Sequence, residues 1–204
     1  KEIASLVAEN VEVKLNTALG RDVTIDGLFK DGYDAVYLAV GSHRSRKLDV
    51  PGEDAKGVLP GIQFLKAYNL RGEHLAKGNV GIVGGGNSAI DAARVAIRQP
   101  GVKSVTVFYR RTENEMPAYR EEIEAALQEG VELRTLVAPV EVVVKGGAAA
   151  GLRLVRCELG DPDASGRRSP GPIPGTEFVA ELDTIVAAIS EQPDTAGLEG
   201  VRLT

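Results

Sequence analysis

The sequence predicts an α/β protein: a parallel sheet wound with helices, followed by an antiparallel three-stranded layer. Three observations carry that expectation. Between residues 62 and 133, short apolar runs alternate with amphipathic stretches at helical spacing. A glycine cluster, Gly84-Gly85-Gly86, separates one such run from the next amphipathic stretch. After residue 137 the pattern changes to strand-like runs divided by Gly- and Pro-rich turns, as antiparallel pairing requires.

Taken in order, residues 1–13 read as the end of a helix (Ile3, Leu6, Val7) feeding a short strand, Val11-Glu12-Val13. Residues 22–29 read as a turn and short helix. The continuous apolar run over 33–41 suits a buried strand of a parallel sheet, ending at Gly41. The segment 48–60 is rich in Gly, Pro and Asp, and a domain crossing is expected there. A short helix follows over 62–70. Residues 80–83 form a buried strand. The helix over 87–98 places Ile90, Ala93 and Ile97 on one face and stops at Pro100-Gly101. A second strand is expected over 104–109. Pro117 is expected to open a helix running to about residue 129, and Val131-Glu132-Leu133 is a third parallel strand. Strands over 139–145 and 152–159, joined by 146–151, read as a hairpin. Residues 160–175 read as an exposed, mobile loop, and 177–180 as the strand that closes the three-stranded layer. Residues 183–190 then repeat the form of 34–41: an Asp, an apolar strand, and small residues at its carboxyl end. Two such return strands around a βαβ unit suggest an inserted domain.

The glycine cluster carries the chemistry. Gly84-x-Gly86-x-x-Ala89, between strand and helix, fits a dinucleotide pyrophosphate. Gly84 allows the tight turn, Gly86 lets the phosphates approach the backbone, and Ala89 lets helix and strand pack closely. The helix starting near Asn87 points free N–H groups and a positive dipole end at the ligand. An acid at the end of the second strand would favour NAD, by accepting from the ribose hydroxyls. Here that strand ends Phe108-Tyr109-Arg110-Arg111-Thr112, with no acid before Glu113. A pair of guanidiniums there suits a 2′-phosphate. Arg94 and Arg98 lie one turn apart on the preceding helix; they either add positive charge to the site or form plain helix surface.

Composition narrows the classes. The chain has 204 residues, 43% hydrophobic and 26% charged, and carries a net charge of −5, which argues against non-specific nucleic-acid binding. No apolar run has bilayer length and no secretory signal opens the sequence, so a cytoplasmic protein is expected. The single Cys157, in a strand-like stretch, excludes an internal disulfide, a Cys-x-x-Cys redox centre and a cysteine-ligated iron–sulfur cluster within this chain. His43 and His74 have no metal-ligand spacing. The only methionine is Met116 and none opens the chain, so the expectation is a piece of a longer polypeptide.

The order of these pieces resembles flavoproteins with two dinucleotide-binding domains, the glutathione-reductase-like architecture. Within it the chain is most similar to the small (beta) subunit of glutamate synthase and its relatives. The resemblance rests on 11–23 (VEVKLNTALGRDV), 33–41 (YDAVYLAVG), 48–58 (LDVPGEDAKGV), 80–94 (VGIVGGGNSAIDAAR), 105–118 (VTVFYRRTENEMPA) and 187–193 (AAISEQP). It implies a Rossmann-like NADP-binding domain over 51–187 and remnants of a flavin-binding domain at 1–50 and 188–204. It implies that Gly84, Gly85, Gly86, Asn87, Ser88 and Ala89 hold the NADP(H) phosphates and that Arg110 and Arg111 hold the 2′-phosphate. It implies that Ala188, Ile189 and Ser190 lie near the nicotinamide, although Ser190 stands where the family has Gly. In that family FAD takes electrons from NADPH and passes them to an iron–sulfur centre or a large-subunit partner. The family's main FAD motif would precede Lys1 and its second FAD contact would follow Thr204, so this stretch is expected to hold NADP(H) and to hold FAD poorly. No residue stands out as a catalytic acid, base or nucleophile. A non-catalytic dinucleotide-sensing or interaction module with the same fold is the alternative.

Overall fold

In the computed structural model, five short parallel strands form the central sheet; residues 11–195, Gly197 and Leu198 are described. Contacts divide the chain into a larger unit, Ser42–Gln192, and a smaller one, Lys1–Gly41 with Pro193–Thr204.

In the smaller unit, α1 (Ile25–Lys30) is capped by the Thr24 hydroxyl, which accepts from Gly27 N–H at 3.0 Å. The helix expected over the first residues lies outside the described part. The strands expected at 11–13 and 33–41 are not formed, because no neighbouring strand pairs with them among the described residues. Val11 and Val13 are exposed and Tyr37 is 93% exposed. An apolar run reveals a capacity for burial, but a strand also needs a partner for its backbone groups.

In chain order the larger unit runs β1 (Arg44–Ser45), β2 (Val58–Pro60), α2 (Gly61–Arg71), β3 (Gly78–Val83), α3 (Asn87–Ile97) and β4 (Val102–Phe108). A 3₁₀ turn (Glu113–Glu115), α4 (Arg120–Gln128), β5 (Glu132–Arg134), β6 (Val137–Lys145) and β7 (Ala148–Pro162) follow. The unit closes with β8 (Arg168–Pro172), β9 (Phe178–Ala180), β10 (Thr184–Ala187) and β11 (Glu191–Gln192).

The parallel sheet has the order β2-β10-β3-β4-β5. β10 arrives from the far end of the chain and slots between β2 and β3. Asp183, just before it, accepts from Asn79 N–H at 2.8 Å, which aligns the start of β10 with the start of β3. The end of the segment 48–60, β2, is an edge strand of this sheet. By contacts the larger unit spans Ser42–Gln192, and β1 and β11 pair with each other at its two ends.

Side chains alternate across the strands, so the sheet buries both faces. Val80, Ile82, Val105, Val107 and Val186 face the helices, meeting Phe64 of α2, Ile90 and Ala93 of α3, and Ile123 of α4. Val83, Phe108 and Ile185 face the antiparallel layer, meeting Val142, Leu152 and Leu154. Each large side chain buried this way contributes roughly 1.5–3 kcal/mol. The buried face of α3 is mostly alanine (Ala89, Ala92, Ala93, Ala96), which permits the close helix–sheet approach read from Ala89.

The antiparallel layer departs in detail from the sequence expectation. Gly146 and Gly147 both have left-handed φ (59° and 78°), so a two-residue turn joins β6 to β7 and the strands are longer than expected. Residues 160–175 are partly strand: β7 runs to Pro162 and β8 folds back onto it. β9 pairs with Leu152, Arg153 and Leu154, so the layer is three strands wide at that level. The helix expected from Pro117 begins at Arg120, because the preceding residues stay extended and bond to the glycine turn.

Candidate cofactor site

The glycine turn leaves β3 at the carboxyl edge of the sheet, and each of its glycines has its own physical reason. Gly84 sits at φ 148°, and a Cβ there would lie 2.1 Å from the carbonyl oxygen of Ala188. Its N–H donates to Phe108 O at 3.1 Å. A Cβ on Gly85 would lie 2.5 Å from the Tyr109 ring. Gly84 and Gly85 are therefore set by packing. Gly86 has φ −90°, and its Cβ would meet nothing closer than Pro117 Cγ at 3.9 Å, so it opens onto free space.

Gly86 is also the N-cap of α3, and no side chain caps that end. Ala89 and Ile90 N–H donate to Gly86 O, which leaves the first-turn N–H groups of Asn87 and Ser88 without an intrahelical acceptor. The Asn87 side chain has a protein partner: its Oδ1 accepts from Tyr119 N–H at 2.9 Å. With Ala118 N–H on Gly85 O at 3.2 Å, it straps residues 116–119 against the turn. Ser88 is half-buried at the helix start, and Ala89 is fully buried beneath it.

At the end of β4 the two arginines part company. Arg110 is exposed and makes no hydrogen bond or ion pair among the described residues. Arg111 is 2% exposed. Its Nε donates to Arg168 O and its Nη2 to Asp163 Oδ2, both at 2.6 Å. The two guanidiniums expected together on one phosphate thus differ in this structure: Arg111 is engaged by protein groups and Arg110 is not. Tyr109 lies buried between them and the turn, with its hydroxyl donating to Glu115 O at 2.7 Å. Past β10, Ala188 is buried with its N–H on Val83 O at 2.8 Å, whereas Ile189 is 43% exposed. Ser190 O accepts from Arg46 N–H at 3.0 Å.

A cavity of about 770 Å³ joins these pieces, lined by Gly84, Gly85, Gly86, Arg110, Arg111, Ile189 and Ser190. Its wall also carries Arg46, Lys47 and Arg167, against a single carboxylate, Asp49. A basic cavity in a chain of net charge −5 favours anionic ligands. Arg167 was not legible as a site residue, because it lies in a turn-rich segment that only the β7–β8 ladder folds back toward the sheet.

Arg94 and Arg98 lie elsewhere. Arg94 bonds Glu129 and Glu122, and Arg98 bonds Glu129 at 2.6 Å, which ties α3 to α4. They line a separate groove of about 410 Å³ with Asp91. Partial burial pushes the Asp91 carboxyl above its ordinary range, with Glu122 adding and Arg94 opposing. Cys157 is a packed thiol: burial pushes it up and Arg110 opposes the shift. No helix among the described residues is long and apolar enough to cross a membrane.

The fold is shared with solved reductases. FprA, a Mycobacterium tuberculosis oxidoreductase, superposes with a TM-score of 0.75 at 21% identity, covering 92% of this chain and 56% of that one. Thioredoxin reductase of T. acidophilum superposes with a TM-score of 0.57 at 20% identity, covering 78% and 46%. The chain belongs to the family described as pyridine nucleotide-disulphide oxidoreductase, which matches residues 1–204. It is 45% identical over 202 residues to the NADP(+)-dependent formate dehydrogenase subunit beta of Moorella thermoacetica, covering 98% of this chain and 28% of that protein. It is 44% identical over 199 residues to the NADPH-Fe(3+) oxidoreductase subunit beta of Geobacter sulfurreducens, covering 95% and 29%. It is 40% identical over 195 residues to the glutamate synthase [NADPH] small chain of Escherichia coli, covering 90% and 41%. The chain thus spans well under half the length of these relatives.

Proposed function

We propose that this chain is the NADP(H)-binding part of a flavin-dependent oxidoreductase, similar to the glutamate synthase small subunit, in which a hydride passes from NADPH to FAD. The observation that carries the proposal is the open position at Gly86 beside the uncapped start of α3, in the same cavity as Arg110. The residues fit a dinucleotide. A pyrophosphate has room over Gly86 and donors in the Asn87 and Ser88 N–H groups. Arg110 offers a guanidinium to a 2′-phosphate where an acid would favour NADH. Ile189 and Ser190, across the cavity, would lie toward the nicotinamide.

When bound, NADPH supplies the hydride and FAD accepts it. The chain binds and orients the donor, and such a transfer asks for no side-chain acid, base or nucleophile. On this reading the larger unit serves NADP(H) and the smaller one is part of the parent's flavin domain. The relatives named as NADPH-dependent proteins support the cofactor choice. Those named as beta subunits support a larger assembly. A large subunit or an iron–sulfur carrier would take the electrons onward, at the expense of the cytoplasmic NADPH pool.

Calorimetric titration of the full chain with NADPH and with NADH tests the reading. Tighter binding of NADPH is expected; equal affinities would remove the role given to Arg110. Anaerobic addition of NADPH to the intact parent should bleach its flavin absorbance. A persistent flavin spectrum with NADPH bound would favour a sensing module instead.

A further inference from the structure

The turn between β7 and β8 is built on one side chain. Asp163 N–H donates to Arg167 O and Gly166 N–H to Asp163 O, at 2.8 and 2.9 Å. Asp163 Oδ1 accepts from Ser165 N–H at 2.8 Å and from the Ser165 hydroxyl at 2.5 Å. Its other oxygen takes the buried Arg111, whose Nε holds Arg168 O as well. Arg111 lies in the bend after β4, so it ties the turn to the segment that also carries Arg110.

That lock determines where Arg167 stands. Its Nε donates to the Ser165 hydroxyl at 3.0 Å, which orients the guanidinium. Its terminal amino groups make no hydrogen bond among the described residues, and the side chain lines the same cavity as Arg110 and Gly86. Two guanidiniums with free donor forks repel each other in one cavity unless an anion lies between them, and the fork matches phosphate oxygens.

We propose that Arg167 is a second ligand for the 2′-phosphate of NADPH, beside Arg110, and that Arg111 and Asp163 are positioning residues that hold its turn in place. This inference rests on the NADP(H) reading above. It reassigns the phosphate pair from Arg110 and Arg111 to Arg110 and Arg167, one from the parallel sheet and one from the antiparallel layer.

The test is a set of NADPH and NADH dissociation constants for the full chain and four variants. Arg167→Ala should weaken NADPH about tenfold or more, as for a lost charge-assisted contact, and leave NADH within about twofold. Arg110→Ala should do the same. Arg167→Lys should recover part of the loss, since the charge remains without the fork. Asp163→Ala should weaken NADPH selectively, because a misplaced turn moves Arg167 but not the glycine turn. Selective loss in Arg110→Ala with full NADPH affinity in Arg167→Ala would overturn this inference and leave the cofactor reading intact. Equal affinity of the unmodified chain for both cofactors would overturn both. Equal weakening of both cofactors by Asp163→Ala would overturn the positioning role.

Discussion

Gly84 and Gly86 stand two residues apart in one turn, and the structure requires opposite outcomes for their substitution. In Gly84→Ala the new Cβ would sit 2.1 Å from Ala188 O, at φ 148°, where a side chain is strained whatever the space. Backbone strain costs roughly 1–3 kcal/mol and overpacking roughly another 1–3 kcal/mol, so about 2–6 kcal/mol is expected. A domain of this size loses about 2–4 °C of Tm per kcal/mol, which places the drop at roughly 4–24 °C. In Gly86→Val the backbone is already extended, and the nearest atom to the new Cβ is 3.9 Å away. The fold should lose no more than about 1 kcal/mol, through a poorer N-cap. The added methyls would fill the space given to the pyrophosphate, so NADPH binding should vanish. Circular dichroism melts and NADPH titrations of both variants read the two effects. A Gly86→Val protein that binds NADPH normally, or a Gly84→Ala protein that melts with the unmodified chain, would refute the reasoning.

Other outcomes follow from the same geometry. Arg110→Ala should leave Tm unchanged and cost about 1.5–3 kcal/mol in NADPH binding but little in NADH binding, by calorimetry. Arg111→Met should lower stability by roughly 1–3 kcal/mol in urea melts, because Asp163 and Arg168 O lose their partner. Glu129 is held below its ordinary carboxyl range first by its hydrogen bond from Arg94. A depressed folded pKa gives stability that is full above the unfolded value near about 4.3 and is lost as pH falls through the folded one. Glu129→Gln should therefore flatten the acid limb of the Tm–pH curve below about pH 4.3.

The βαβ unit was legible because its information is local: an apolar run, a glycine turn, and apolar spacing at 3.6 residues lie within one stretch of chain. The same is true of the cavity's glycine edge. What escaped the sequence depends on distant partners. Residues 33–41 and 183–190 share a pattern, yet only the second finds neighbours among the described residues, because β2 and β3 flank it. Arg110 and Arg111 are adjacent in sequence but take opposite roles. Both lie in the bend that follows β4, and the carboxylate that claims Arg111 is 52 residues away. The requirement for glycine at Gly85 likewise comes from a distant partner, the ring of Tyr109. The Asn87 side chain straps residues 116–119 to the turn, so its part in the proposed site falls to its backbone N–H.

A crystal structure of the full chain with NADPH tests the central claim most directly. The pyrophosphate should lie over Gly86 at the start of α3, with the 2′-phosphate against Arg110 and the nicotinamide toward Ile189 and Ser190. A pyrophosphate seated away from the glycine turn, or a 2′-phosphate beyond the reach of Arg110, would contradict it.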